Sequence, residues 1–156
     1  MIEHDISLRN FALDDEELFC NMAYLFHNSD DVAYGKADMK VLQSTFHECI
    51  NNSPYIRGMF ICQNGVVCGY ALLTFSYSNE YGGKIMIIDE IYIKEGFRGE
   101  GLASYFIRET LAEYQHKVVY VEVEVRKDNA AAISLYKKFG LGVNDYLLMY
   151  KFFDRD

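Results

Sequence analysis

The sequence predicts an α/β fold: a mixed, mostly antiparallel central sheet with a parallel pair at its centre and helices on both faces. Three observations carry this. Two β-rich runs, 55–63 and 66–77, flank Asn64-Gly65, a pair that tolerates the positive φ both positions of a two-residue hairpin turn need. Lys84 to Ile93 (KIMIIDEIYI) is nearly continuously apolar and β-branched, the composition of a strand covered on both faces. The order strand, helix, strand between Lys84 and Arg126 implies a parallel pair joined by a right-handed crossover.

The elements follow in order. Ile2 to Arg9 reads as a first strand. Asp14 with Glu17 three positions on has the form of a capping box for a helix running to about His27. A second helix, about Ala37 to Ile50, is marked by Val41, Leu42, Thr45, Phe46, Cys49 and Ile50 at helical spacing, with Pro54 shortly beyond its end. After the hairpin and the strand to Ile93, Lys94 to Gly101 forms a loop into a helix from Leu102 to Tyr114, one face of which carries Phe106, Ile107, Thr110 and Leu111. Lys117 to Arg126 alternates valines with polar residues, as a strand does. Asn129 can cap a helix from Ala130 to Phe139, Gly140 stops it, and C-terminal strands are expected between Leu141 and Phe153.

Composition narrows the function. The chain of 156 residues has 15 Lys plus Arg against 23 Asp plus Glu, a net charge of −8, and no repeat or linker, which favours one domain over 1–156. An acidic chain without a basic run repels phosphates, so nucleic acid and anionic membranes are not expected partners and a cationic small molecule is. Residues 58–79 carry no formal charge, but Gln63-Asn64-Gly65 interrupts them as a hairpin, and the N-terminus lacks the features of a secretory signal, so a cytoplasmic protein is expected. Neither the four cysteines nor the four histidines show metal-ligand spacing, and no metal is expected. Tyr146, Leu147, Leu148, Met149, Phe152 and Phe153 either complete the sheet or make a homodimer surface.

The most informative segment is Arg98-x-x-Gly101-x-Ala103, placed between a buried strand and a helix. Backbone N–H groups at a helix N-terminus attract anions, and small residues let a phosphate come close. A dinucleotide fingerprint and a P-loop both fail on spacing, because there is no G-x-G-x-x-G and no G-K-[ST]. The alternative is a glycine-rich turn without a ligand.

Three ordered blocks resemble the GNAT superfamily of acetyl-CoA-dependent N-acetyltransferases. Ile88-Asp89-Glu90-Ile91-Tyr92-Ile93 is similar to the family's central strand, and Arg98 to Ala103 to its [QR]-x-x-G-x-[GA] pyrophosphate loop. Val123 to Gly140, with Asn129 and Leu135-Tyr136-x-x-x-Gly140, resembles its later strand and helix. Leu141-Gly142 after Gly140, and Ala103 at the third loop position, depart from the commonest pattern. Thr74 to Ser78, the Gly82-Gly83 loop and Asp89-Glu90 are similar to the spermidine/spermine-type diamine acetyltransferases. The resemblance implies acetyl-CoA as cosubstrate. The amides of Arg98, Gly99, Glu100, Gly101, Leu102, Ala103 and Ser104 would hold its pyrophosphate, and Ile91, Tyr92 and Ile93 would pair with its pantetheine arm. Arg98 would add charge, Asn129 would cap its helix and touch the cofactor, and Lys94, Lys137 and Lys138 could assist at the rim.

Acetyl transfer to an amine needs a group to take the ammonium proton and another to protonate the departing thiolate. Glu90, a carboxylate in an apolar strand, is the candidate base, through water, with Asp89 as the alternate. Strand alternation puts the two on opposite faces unless a bulge intervenes. Tyr136 is the candidate acid, although it also falls on the apolar helical stripe with Ala132, Ile133 and Phe139 and could be a core aromatic. Glu122 and Glu124 could add to an acidic pocket for a multivalent cation. Cys62 and Cys68 flank the hairpin turn without a His or Asp partner, which disfavours a covalent intermediate. The expected function is direct transfer, in a ternary complex, to a primary amine of a small cationic acceptor. A non-catalytic acyl-CoA sensor and a protein or peptide N-acetyltransferase are the alternatives.

Overall fold

The computed structural model describes residues 5–29 and 37–154. Strand β1 (Ile6–Asn10) leads through a single 3-10 turn into helix α1 (Glu16–His27), followed by α2 (Met39–Ile50). Strands β2 (Ile56–Gln63), β3 (Val66–Ser78) and β4 (Gly83–Ile93) come next, then α3 (Leu102–Tyr114), β5 (Tyr120–Val123) and α4 (Ala130–Lys138). The five strands form one sheet in sequence order. Pairing is antiparallel from β1 to β4, and β5 runs parallel to β4. This is the mixed sheet the sequence predicts.

Local chemistry accounts for the boundaries. Asn64 and Gly65 both take positive φ, +50° and +77°, and close the β2–β3 hairpin. Asp38 caps α2 by accepting from the Lys40 amide, and Asn129 caps α4 by accepting from the Ala132 amide. Gly140 stops α4 with φ +84°. At α1 the expected Asp14/Glu17 box gives way to Asp15, whose carboxylate accepts from the Ala12 amide at 2.7 Å and pairs with Arg9 at 2.7 Å. A charged partner across the turn outcompetes the purely local arrangement.

The sheet separates two cores. Met59, Ile61, Ala71, Leu73, Met86 and Ile88 pack with Leu102, Phe106, Ile107 and Tyr114 of α3. On the opposite face Phe60, Cys62, Tyr70 and Leu72 pack with Phe19, Met22 and Ala23 of α1 and Phe46 of α2. The helices therefore cover both faces, and strand alternation allots each residue to its side.

Ile2 to His4 of the expected first strand lie outside the described residues. Two other expectations need correction. β5 spans four residues, not Lys117 to Arg126, because only Ile85–Ile88 of β4 pair with it. Residues 141–153 form no strand, although their composition favours one. A strand needs a neighbour's backbone groups, and this segment pairs with none of the five strands. Tyr146 comes near Tyr81, just before β4, where the Tyr81 and Tyr120 rings stack 5.0 Å apart.

Candidate active site

The site forms where the sheet's regularity breaks. Along β3 and β4 the register runs Leu73↔Ile88 and then Leu72↔Glu90, so Asp89 is the extra residue of a β-bulge. Ile88 and Ile91 consequently both join the α3 side, while Glu90 and Tyr92 turn to the α1 side. Strict alternation would place Asp89 and Glu90 on opposite faces; the bulge removes that constraint. β4 and β5 part at the same point, since pairing ends at Ile88↔Val123 and β4 continues to Ile93. Residues 89–93 thus line a notch where one edge of β4 has no strand neighbour among the described residues.

Glu90 does not stand free in this notch. Its carboxylate accepts from the Tyr70 hydroxyl at 2.5 Å, and both its oxygens lie 3.0 Å from His27 Nε2 at the end of α1. Its side chain is 12% exposed and that of His27 22%. The hydrogen bond to Glu90 raises the His27 pKa, burial opposes the rise, and the charges of Glu90 and Asp89 add to it. The contact therefore favours the protonated form of His27. Asp89 remains reachable from solvent, but its pKa is also raised, first by burial in the notch and then by the charges of Glu90 and Glu124, with His27 opposing.

The structure brings Asp89, Glu90 and Glu124 together. Glu122 lies on β5 opposite Ile87. The sequence reading did not single out His27 and Tyr70. His27 ends a helix far from β4 in sequence, and Tyr70 reads as one more core aromatic. The only available signal was a need: a carboxylate placed inside an apolar strand requires partners.

The ion pair makes a pH-dependent contribution to stability. A histidine whose folded pKa is raised stabilises most below its ordinary value of 6.5, and that stabilisation is lost as pH rises through the folded value. Thermal unfolding between pH 6 and 9 should show a declining Tm on this account, with a slope of at most about 1.4 kcal/mol per pH unit from one group. His27→Gln should flatten it; an unchanged slope would remove His27 as the titrating group.

Beyond β4 the chain turns through Glu95–Phe97 into α3. Gly99 and Gly101 take φ of +80° and +78°, and nothing lies within 4 Å of where a Cβ would stand on either. The first helical bond is from the Tyr105 amide to the Gly101 carbonyl, so the amides of Leu102, Ala103 and Ser104 have no acceptor within the helix. The positive end of the α3 dipole adds to them. Arg98 donates through Nε to the Ile93 carbonyl at 3.0 Å and ties this loop to the end of β4. Open space, amides without a helical acceptor and an arginine fit a pyrophosphate-bearing cosubstrate. Lys94 turns the other way, its Nζ donating to the Val67 carbonyl at 2.8 Å, while Lys137 and Lys138 are exposed in the last turn of α4.

Tyr136 on α4 is half-buried against the α3-side core, and burial raises its pKa. It is protonated at neutral pH. Burial also raises the pKa of each of the four thiols, that of Cys49 to about 12. Cys62 and Cys68 flank the turn but belong to opposite cores. Among the described residues no group of three His, Cys, Asp or Glu could hold a metal ion, and no helix is long and apolar enough to cross a membrane.

Comparison with known proteins shows relatives in sequence and in fold. A thialysine N-epsilon-acetyltransferase of Bos taurus is 33% identical over 79 residues, 50% of this chain and 46% of that protein, so the chain matches about half the length of this curated relative. A structure described as a possible acetyltransferase from Clostridium difficile 630 superposes with a TM-score of 0.81 at 18% identity, covering 97% of this chain and 99% of that one. An aminoglycoside N-acetyltransferase in complex with CoA superposes with a TM-score of 0.74 at 12% identity, covering 96% and 95%. These structures share the fold. The Acetyltransferase (GNAT) family matches residues 18–141, most of the chain. The chain belongs to the GNAT family of acetyltransferases.

Proposed function

We propose that this protein transfers an acetyl group from acetyl-CoA to a primary amine of a small cationic acceptor, directly and within one ternary complex. The observations that carry this reading are the Asp89 bulge, the parting of β4 from β5 at the same point, and, beyond the end of β4, the amides of Leu102, Ala103 and Ser104 that have no acceptor within α3. Acetyl-CoA would supply an activated acyl group as a thioester. The amides at the start of α3 and Arg98 would hold its pyrophosphate, and the edge of Ile91, Tyr92 and Ile93 beyond the end of β5 would direct its arm toward Asp89.

Asp89 acts as the base, taking the proton that the ammonium must lose before its nitrogen can attack. A carboxyl with a raised pKa is the stronger base, and this one is open to the notch. Glu90 is instead a positioning group, engaged by His27 and Tyr70, that fixes the bulge and adds negative charge beside it. As the N–C bond forms and the C–S bond breaks, Tyr136 donates its proton to the departing sulfur. The cysteine thiols stay protonated and take no part. The carboxylates of Asp89, Glu90 and Glu124 favour an acceptor with a second positive charge, and polyamines satisfy that chemistry.

Calorimetric titration with acetyl-CoA, together with free-thiol release against polyamines, aminoglycosides, amino acids and lysine peptides, tests the proposal. Binding with thiol release that is fastest for a di- or polyamine is expected. Binding without release on any amine would replace the enzyme by an acyl-CoA sensor, and release on peptides alone would move the acceptor class.

A further inference from the structure

Asp89 has to be ionised before it can take a proton, and its surroundings oppose that. Glu90 beside it and Glu124, just beyond the end of β5, both add negative charge, and like charges hold a proton on a carboxyl. An opposing charge comes from the α1 side of the sheet. His27, the last residue of α1, places Nε2 3.0 Å from both oxygens of Glu90, and it is a cation that acts against Glu90 and Glu124 at Asp89.

Three elements hold this histidine in place. Phe26 packs edge-on against the rings of His27 and of Tyr92 on β4, with centroids 5.2 and 6.0 Å apart. Tyr92 in turn packs on Tyr70 of β3, whose hydroxyl donates to the same Glu90 carboxylate. The Asn28 and Ser29 amides return to the Tyr24 and Phe26 carbonyls and close the helix end around His27. A helix C-terminus favours a cation. The neighbouring cations have partners of their own: Lys94 the Val67 carbonyl, Arg98 the Ile93 carbonyl, Arg126 the Asp128 carboxylate, and His47 of α2 the Glu16 carboxylate in the first turn of α1.

We infer that His27 is a positioning residue of the transfer reaction: by pairing with Glu90 it offsets the charge beside Asp89, so that Asp89 meets the acceptor ammonium as a carboxylate able to take its proton. This rests on the assignment of Asp89 as the base. His27 touches neither the acceptor nor the cosubstrate in this role and acts through Glu90. The hydrogen bond to Glu90 raises its pKa above 6.5 against the effect of burial, so it carries its charge below that pH, on the acid side where Asp89 gains its proton.

The Asp89 carboxyl carbon, followed by NMR through a pH titration and assigned by the loss of that titration in Asp89→Asn, tests the inference. In His27→Gln the Asp89 pKa should rise by roughly one unit, the effect of losing a nearby opposite charge. The acid limb of kcat/KM should move to higher pH by the same amount. Adding Glu90→Gln should bring both back down, because the charge that His27 offsets is then gone as well. Circular dichroism shows whether these variants fold. Coupling between two titrating groups is mutual, so the His27 imidazole pKa should fall by a similar amount in Asp89→Asn, a measurement that stands even where His27→Gln fails to fold. An unchanged Asp89 pKa in His27→Gln, or an unchanged His27 pKa in Asp89→Asn, would overturn the inference. A rise that Glu90→Gln leaves in place would also overturn it, since His27 would then act by covering the notch and not by its charge. The NMR values need no turnover. If they shift as expected while the acid limb stays where it is, the base assignment fails and the charge coupling stands.

Discussion

Asp89→Asn is expected to lower kcat by roughly 10²–10⁴-fold, the usual contribution of a positioned general base, with coenzyme A affinity unchanged. Asn keeps the size of the side chain and its place in the bulge but cannot take a proton. The wild-type rate should fall as pH drops through the Asp89 pKa, which burial in the notch and the neighbouring carboxylates Glu90 and Glu124 hold above the ordinary value of 3.8. That acid limb should disappear from the residual activity of the variant. Stability should move the other way. A carboxyl whose folded pKa is raised favours folding when protonated, and this contribution is lost as pH rises through the folded value, so at pH 7 the ionised group works against the fold. Asp89→Asn should therefore melt no lower than the wild type at pH 7.

Glu90→Gln provides the contrast. It would break an ion pair that is 12% and 22% exposed and leave His27 facing a neutral amide, so it should lower Tm at neutral pH. If Glu90→Gln abolished turnover without changing Tm while Asp89→Asn stayed active, the roles assigned here would be exchanged.

The difference between these two neighbours shows where sequence stops being readable. Elements set by local chemistry lie where composition puts them: the Asn64-Gly65 turn, helix α3 at Leu102–Tyr114 and the Asn129 cap. The Asp89 bulge is a register relation between β3 and β4, and alternation along β4 alone gives no sign of it. The His27–Glu90 contact joins residues 63 positions apart, across a helix and three strands, and neither residue carries a motif. The C-terminal segment, residues 141–153, fails for a third reason. Its apolar run reads correctly as strand material, but whether it becomes a strand depends on a neighbouring backbone that the run does not encode.

Tyr136→Phe is the second large effect, a drop in kcat of roughly 10²-fold or more with cosubstrate affinity retained. The change removes one oxygen from a half-buried side chain and keeps the ring that packs against the α3-side core. Packing alone therefore predicts little change in Tm. The chemistry predicts more, because without the phenol a thiolate must leave unprotonated or draw its proton from water. A leaving thiol of ordinary pKa, about 8.5 by analogy with cysteine, is stable enough as an anion for some turnover to persist. Dependence on the leaving group therefore separates the catalytic role from a structural one. With an acyl donor whose thiol is more acidic, the deficit of the Phe variant should shrink, since a better leaving group needs the proton less. A core aromatic would show the same deficit with every donor. Burial holds the Tyr136 pKa above its ordinary value of 10, so the wild-type enzyme should keep its acid form across neutral pH and lose rate only on the strongly alkaline side. A Phe variant with wild-type kcat on the natural thioester would remove Tyr136 from the mechanism and leave the departing sulfur to be protonated by solvent admitted through the notch between β4 and β5.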